Sequence, residues 1–248
     1  MDNTDAIFTT QHYIATLKKY KETHKFSFFD NCSSNDIILR HDIDFSLDDA
    51  LRIAQIENEL EIKSTYFILL HSELYNPFGF ISSKNIINIL KLGHQIALHY
   101  DETFFHQTGV NISDGIRKEI GILEQHFDTK INVVVRHNPS ISGKKIPVDL
   151  PSGVVDAMSN DFTLNRKYIS DSVRYWRETK GHLFCSDENI YSEMQILTHP
   201  ALWTDKVLSR HDTLSRIMNN LQSANENQHR NISDIWTNYI HERIKEQH

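Results

Sequence analysis

The stretch Ile37-Ile38-Leu39-Arg40-His41-Asp42-Ile43-Asp44 joins an apolar run to a cluster of titratable residues. Its first three residues are apolar and predict a buried strand, and titratable side chains follow where that strand ends. Asp42 and Asp44 stand at i and i+2, so on a strand both carboxylates point to one side, while His41 points to the other and is expected to be structural. Two desolvated carboxylates cannot both stay ionised unless a positive group neutralises them. A divalent metal ion is one solution, and a pair of turn or helix-capping carboxylates before Ser46 is the alternative.

Short apolar runs alternate with amphipathic segments along the rest of the chain, which indicates strand–helix units and a parallel sheet. No glycine-rich nucleotide-binding loop occurs, so an incomplete barrel is favoured over an open doubly wound sheet. We therefore predict a distorted, seven-stranded (β/α) barrel in a single domain over residues 1–248, with a helical tail from about residue 206 that is interrupted near 223–227. The predicted strands are 37–39, 65–70, 95–100, 131–135, 154–158, 168–170 and 194–198.

The composition excludes several classes of protein. The net charge is −7 and the basic residues form no stripe, so a nucleic-acid partner is not expected. No apolar run approaches the ~20 residues that cross a bilayer, so no transmembrane segment is expected. The polar N-terminus lacks a secretory pattern, and only two cysteines occur, so a cytoplasmic location without a disulfide framework is expected. The oligomeric state is left open.

Titratable residues recur where the predicted strands end. Because the carboxyl ends of parallel strands meet at one edge or mouth, functional groups collect there. The recurrence therefore predicts one shared site rather than scattered surface side chains. The residues at these ends are Asp42, Asp44, His71, His99, Asp101, Arg136, His137, Asp171 and His199.

Six short motifs give the sequence its resemblance to a known family. Together they resemble the polysaccharide deacetylase family with the NodB homology fold, in particular the bacterial branch that opens with Arg-His-Asp-hydrophobic-Asp. The resemblance extends over about residues 37–203 and implies a NodB-type barrel. The motifs are ILRHDID (38–44), STYF (64–67), GHQIALH (93–99), RHNP (136–139), ISDS (169–172) and LTHP (197–200).

The resemblance implies a metal site, and one position departs from the family pattern. Asp44 and His99 match two ligands of a divalent ion, expected to be Zn²⁺. The family's second histidine lies four residues after the first, where this chain has Thr103, a poor zinc ligand. We expect His137, at the end of the adjacent strand, to replace it. The less favoured alternatives are Asp101 and His106.

The resemblance also implies catalytic roles. Asp42 matches the general base, and Arg136, which precedes Pro139, matches the arginine that orients this base. His199 matches the acid that protonates the leaving amine, and Asp171 matches the residue that raises the pKa of that histidine. The metal ion would make its bound water more acidic and stabilise the oxyanion.

Two hypotheses from different classes follow. The first is a metal-dependent carbohydrate N-deacetylase that removes an N-acyl group, acetyl or formyl, from an amino sugar during surface-polysaccharide or glycan biosynthesis. Its substrate would be an amino sugar, a nucleotide-sugar or a lipid-linked glycan. The second, motivated by Thr103, is an inactive carbohydrate-binding or scaffold module on the same barrel. A phosphodiesterase is a less favoured third possibility.

Overall fold

A computed structural model describes residues 8–138, 148–172 and 191–245 of the chain. The motif residue Pro139 lies outside these ranges. The chain divides into two compact units, Met1–Val207 and Leu208–His248. The boundary falls close to the predicted start of the helical tail, and the single-domain organisation stays a prediction.

The first unit alternates strands with helices, as the apolar pattern predicts. Its strands are β1 (Lys25–Ser27), β2 (Asp36–Ile43), β3 (Thr65–Leu69), β4 (Gln95–Tyr100), β5 (Val133–Arg136), β6 (Val155–Asp156), β7 (Lys167–Ser170) and β8 (Met194–Thr198). Its helices are α1 (Thr10–Lys21), α2 (Leu47–Glu59), α3 (Phe80–Lys91), α4 (Glu102–Thr108), α5 (Ile112–Phe127) and α6 (Asn160–Thr163), and a 3₁₀ turn follows at Pro200–Leu202.

The strand order is that of a barrel with one open seam. All pairs are parallel, and the order is β6-β5-β4-β3-β2-β8-β7, so chain order is kept around the sheet and no pairing joins β6 to β7 among the described residues. The predicted distorted, seven-stranded barrel is confirmed. The additional strand β1 lies beside the first half of β2. It was not predicted because its three residues contain one apolar side chain and show no periodicity.

Side chains alternate between the two faces of the sheet. The outer face packs against α2, α3 and α5, and its strand residues include Tyr66, Ile68, Leu98 and Val134. The inner face carries a smaller apolar cluster that includes Ile38, Phe67, Ala97, Val133 and Val135. Asp42 and His99 are separated by an even number of residues from Ile38 on β2 and Ala97 on β4, so they lie on the same inner face. Their side chains therefore point into the mouth of the curled sheet.

A buried polar network lies on the outer side of β2. The carboxylate of Glu57 on α2 accepts hydrogen bonds from His41 Nε2 at 2.7 Å and from the Tyr66 hydroxyl at 2.8 Å. The hydroxyls of Tyr13 and Ser64 donate to the same carboxylate. Burial disfavours the charge of Glu57, but the adjacent His41 and these hydrogen bonds outweigh it and lower the pKa of Glu57 to about 2. His41 is therefore structural, as its position on β2 predicts.

Helix caps shape the loops that follow the strands. Ser46 Oγ accepts from the Asp49 amide at 3.1 Å and starts α2 after β2. Asp101 Oδ1 accepts from the amides of Thr103 at 2.9 Å and Phe104 at 3.3 Å and starts α4 after β4. The Asp101 carboxylate is thus committed to a helix cap, which counts against it as a metal ligand.

The second unit contains α7 (Arg210–Lys245), a helix of 36 residues. Ser209 Oγ accepts from the Asp212 amide at 3.0 Å and caps its start. The predicted interruption near 223–227 is wrong, because the helix runs through these residues. The segment is polar but contains neither Gly nor Pro, and polar residues alone do not end a helix. None of the described helices is long and apolar enough to cross a membrane.

Candidate metal centre and its neighbours

The ends of β2, β4 and β5 bring Asp44, His99 and His137 together. One ligand-type atom from each residue lies within 4.8 Å of the others. His99 Nε2 is 3.3 Å from Asp44 Oδ1, and the His99 and His137 rings are 5.0 Å apart and close to perpendicular at 81°. The His137 amide donates to the Tyr100 carbonyl at 2.8 Å, which fixes the backbone beyond β5. The three residues predicted as ligands therefore form one cluster.

The chemistry of this cluster fits a divalent ion. Asp44 Oδ1 is buried and has no hydrogen-bond partner among the described residues, since its contact with His99 lacks hydrogen-bond geometry. His99 Nδ1 lies 3.3 Å from the Val135 carbonyl and donates to it, and His99 Nε2 faces Asp44. One carboxylate and two imidazoles are a donor set that catalytic zinc sites use, with a fourth position open for water.

The protonation states also suit metal binding. Burial opposes the charge of Asp44, but the contacts with His99 and His199 outweigh it and hold the pKa of Asp44 well below its usual range. Burial and the neighbouring His99 lower the pKa of His137, so that its ring is neutral at neutral pH. Metal ligands must be deprotonated before they bind, and both residues meet this condition.

Thr103, at the position of the family's second histidine, and the alternative ligand His106 both lie outside the cluster. Thr103 stands in the first turn of α4, where its amide donates to Asp101. The side chain of His106 is 53% exposed and lies 3.6 Å from Glu102. Neither residue belongs to the Asp44–His99–His137 cluster.

The residue that holds Asp42 is Arg40, which corrects the expectation for Arg136. Arg40 Nε donates to Asp42 Oδ1 and Arg40 Nη2 to Asp42 Oδ2, both at 2.7 Å. Arg136 Nη1 instead donates to Glu102 Oε2 at 2.8 Å. The reason is the strand period: Arg136 shares the outer face with Val134, whereas Arg40 shares the inner face with Asp42.

The charge balance of the inner face follows from these contacts. Burial raises the pKa of Asp42, but Arg40 and then His99 outweigh it, so the pKa lies below its usual value. Arg40 compensates the charge of Asp42 through two hydrogen bonds, whereas His199 Nε2 stands farther from Asp44, at 3.6 Å from its Oδ2. A cation among Asp44, His99 and His137 would add positive charge beside the buried Asp44 Oδ1.

His199 and Asp171 form a second buried pair beside the cluster. His199 Nδ1 lies 2.6 Å from Asp171 Oδ1, and the His199 amide donates to Asp171 Oδ2 at 2.9 Å. Burial lowers the pKa of His199, but the Asp171 carboxylate outweighs it and raises this pKa to about 9. His199 Nε2 faces the cluster at 3.6 Å from Asp44 Oδ2. Because its pKa is raised, His199 keeps its proton at neutral pH, and its Nε2 directs an N–H toward the cluster.

Trp203 is a supporting residue to which the sequence assigned no definite role. Its indole Nε1 donates to Asp171 Oδ2 at 3.2 Å, and its ring packs against Phe8 and Tyr13 at centroid distances of 5.1 and 4.9 Å. The residue is fully buried, so it cannot be a platform for a sugar ring. No short motif signals this role, because the partner Asp171 lies far away in the sequence.

His71, the other histidine at a strand end, pairs with Glu119 of α5. His71 Nε2 lies 2.7 Å from Glu119 Oε1, and the His71 ring stacks on Phe104 at 3.5 Å. Burial and the nearby Asp101 raise the pKa of Glu119 to about 8. Burial lowers the pKa of His71, so the pair is held largely uncharged near neutral pH. This pair is separate from the metal-ligand cluster.

Comparisons with known proteins find similarity only among solved structures. No protein-family profile and no curated protein sequence matches the chain. The similar structures include carbohydrate esterases of family 4 and a peptidoglycan deacetylase. PdaA of Bacillus subtilis is 13% identical, with 84% of each chain covered and a TM-score of 0.41. The Bc1960 peptidoglycan N-acetylglucosamine deacetylase is 18% identical, with 85% of this chain and 92% of the other covered and a TM-score of 0.40.

A third similar structure is a pseudoenzyme. The family 4 pseudoenzyme BA3943 of Bacillus anthracis is 14% identical, with a TM-score of 0.42 over 78% of this chain. This chain covers 63% of the length of that protein. Similarities at these levels do not show which reaction the present chain performs.

Proposed function

We propose that this chain is a metal-dependent carbohydrate N-deacetylase of the polysaccharide deacetylase type, which hydrolyses an acetyl or formyl amide on an amino sugar. One observation carries the proposal: the Asp44–His99–His137 cluster adjoins the His199–Asp171 pair. Hydrolysis of an amide needs a polarised acyl oxygen and an acid for the leaving nitrogen, because an amide anion is a very poor leaving group. The cluster supports the first requirement and the pair the second.

The site residues have separate roles in the proposed reaction. Asp44, His99 and His137 would hold a Zn²⁺ or similar ion, whose Lewis acidity would lower the pKa of water and polarise the acyl group. Asp42, kept ionised, accepts the proton of the attacking water. His199 Nε2 donates a proton to the departing amine, and Asp171 holds the opposite ring nitrogen in place.

The test measures metal content and amine release on the same purified protein. N,N′-diacetylchitobiose and UDP-N-acetylglucosamine are suitable probes, because they present the N-acyl amino sugar free and nucleotide-linked. We expect stoichiometric divalent metal and release of free amine that dipicolinate abolishes and Zn²⁺ restores. Loss of the amine release in Asp44→Asn, together with its retention in His106→Ala, would tie the activity to the cluster.

The competing function is the inactive carbohydrate-binding module that Thr103 suggests. It predicts binding of the same sugars without amine release and without stoichiometric metal. A protein that binds no ion and releases no amine from these N-acetyl probes or from their N-formyl counterparts would contradict the deacetylase proposal. The cytoplasmic location, the role in glycan biosynthesis and a lipid-linked substrate are parts of the proposal that need their own tests.

A further inference from the structure

Arg40 binds the Asp42 carboxylate through two hydrogen bonds at once, a geometry that a lysine cannot reproduce. Its Nε and Nη2 atoms each donate at 2.7 Å to a different oxygen of the Asp42 carboxylate. The two side chains are only 3% and 6% exposed, so water does not compete for these bonds. Two parallel charge-assisted hydrogen bonds fix both the distance and the plane of a carboxylate.

The remaining contacts of Arg40 hold the guanidinium itself. Its Nη1 donates to Gln195 Oε1 at 3.4 Å and lies 3.2 Å from Met158 Sδ. Its guanidinium carbon lies 5.1 Å from the centre of the Phe67 ring. All three guanidinium nitrogens are therefore engaged, and the orientation of Asp42 is set before any substrate arrives.

The carboxylate that Arg40 holds lies against the metal-ligand cluster. Asp42 Oδ2 is 3.6 Å from His99 Nε2. Each carboxylate oxygen has two lone pairs, so the contact with Arg40 leaves Asp42 able to accept a further proton. Arg136, in contrast, donates to Glu102, a residue that is 2% exposed on the helix-covered side.

We propose that Arg40, and not Arg136, is the positioning residue for the base Asp42 in the deacylation. This inference rests on the proposed function, because it concerns the same site. The base and its guanidinium partner are then neighbours on one strand, two residues apart on β2. The role moves from β5 to β2 relative to the arrangement that the family resemblance implies.

The test is a double-mutant cycle with N,N′-diacetylchitobiose as the probe. The variants are Arg40→Lys, Asp42→Asn, the double variant, and Arg136→Lys as the matched control. We expect Arg40→Lys to lower kcat by roughly 10–100-fold with KM within about twofold, because a displaced base reacts slowly while the substrate still binds. In the Asp42→Asn background, Arg40→Lys should cause no further loss of kcat. Arg136→Lys should lower kcat less than Arg40→Lys does.

A second readout does not depend on turnover. In the metal-free protein, the shift of the urea midpoint caused by Arg40→Lys should be smaller when Asp42 is already Asn, since the bidentate contact is then lost. If Arg40→Lys fails to fold, Arg40→Gln takes its place in the same cycle.

The outcomes separate this inference from the proposed function. Equal losses of kcat in both backgrounds, or a larger loss for Arg136→Lys than for Arg40→Lys, would overturn the role of Arg40 while the deacetylase stands. A wild-type protein without deacylase activity on N-acetyl and N-formyl probes would overturn the proposed function, and the positioning role with it.

Discussion

His199 presents its Nε2 atom to the metal-ligand cluster because Asp171 bonds its Nδ1 atom at 2.6 Å. Asp171 is fully buried, and it also accepts from the His199 amide and from the Trp203 indole. Asp171 therefore fixes the ring of His199, and the His199 amide and the Trp203 indole hold Asp171 in place. A proton donor held in this way suits a reaction with a basic leaving group.

His199→Ala should remove amide hydrolysis and spare the hydrolysis of an activated ester. An amine must be protonated as it leaves, whereas 4-nitrophenolate leaves without an acid, so only the amide needs His199. We expect kcat on N,N′-diacetylchitobiose to fall by about 10²–10⁴-fold and kcat on 4-nitrophenyl acetate to change much less. Steady-state assays of both substrates measure this, with the exposed His126→Ala as control. Equal losses on both substrates would show that His199 acts in some other step.

His137→Ala should lower metal affinity, although the sequence pattern would place the third ligand at Thr103. The ring of His137 lies next to His99, and its removal takes one donor from the cluster. We expect the zinc affinity to fall by more than the ~10–100-fold that loss of an outer-shell partner causes. Metal titration with a competing chelator measures this, and His106→Ala should match the wild type. Unchanged affinity in His137→Ala would assign the third ligand to another residue.

Glu57→Gln should weaken the fold at neutral pH and flatten its acid dependence. The folded pKa of Glu57 is about 2, below its value of 4.5 in a model peptide. Its contribution is therefore fully present above pH 4.5 and is lost as the pH falls toward 2. The pKa shift corresponds to roughly 3 kcal/mol. Urea unfolding at pH 6.5 and pH 3.5 measures the difference, and the exposed Glu59→Gln on the same helix should behave as the wild type.

Glu119→Gln should stabilise the protein above neutral pH. The folded pKa of Glu119 is about 8, above its ordinary value of 4.5, so folding disfavours the charged form. The wild type is then most stable below pH 4.5 and loses stability as the pH rises toward 8, whereas glutamine has no proton to lose. We expect a gain on the order of 4 kcal/mol at pH 8 and of about 1 kcal/mol at pH 5. A gain of equal size at both pH values would show that ionisation is not the cause. Urea unfolding at the two pH values is the measurement.

Much of the fold could be predicted because the strands are buried on both faces. Such strands appear as short apolar runs in the sequence, and β2, β3, β4 and β8 each coincide with one. The sequence pattern predicts the short strands β1 and β6 less clearly, because their pairing with neighbouring strands defines them. The continuity of α7 is also hard to predict, because it depends on the absence of Gly and Pro.

The cluster of candidate ligands was also predictable, whereas the partner of the base was not predicted. Asp44, His99 and His137 follow strand ends, and parallel topology brings such ends together. The period of two that puts Asp42 and Asp44 on one face puts Arg40 on that face as well. Applied in both directions along β2, the same rule would have found Arg40. The network around Glu57 joins residues from α1, α2, β2 and β3, so no local sequence pattern predicts it.

The alternation along β2 has a consequence for insertions and deletions. Arg40, Asp42 and Asp44 face inward, while His41 faces outward to Glu57. A single residue inserted within the strand would exchange the two sets, turning the acidic groups toward the helices and His41 toward the mouth. One change of length would therefore remove the catalytic groups and break the supporting network together. A substitution at one position of β2 can be compensated by a second substitution. A shift in the inward and outward alternation of the whole strand cannot be compensated in this way.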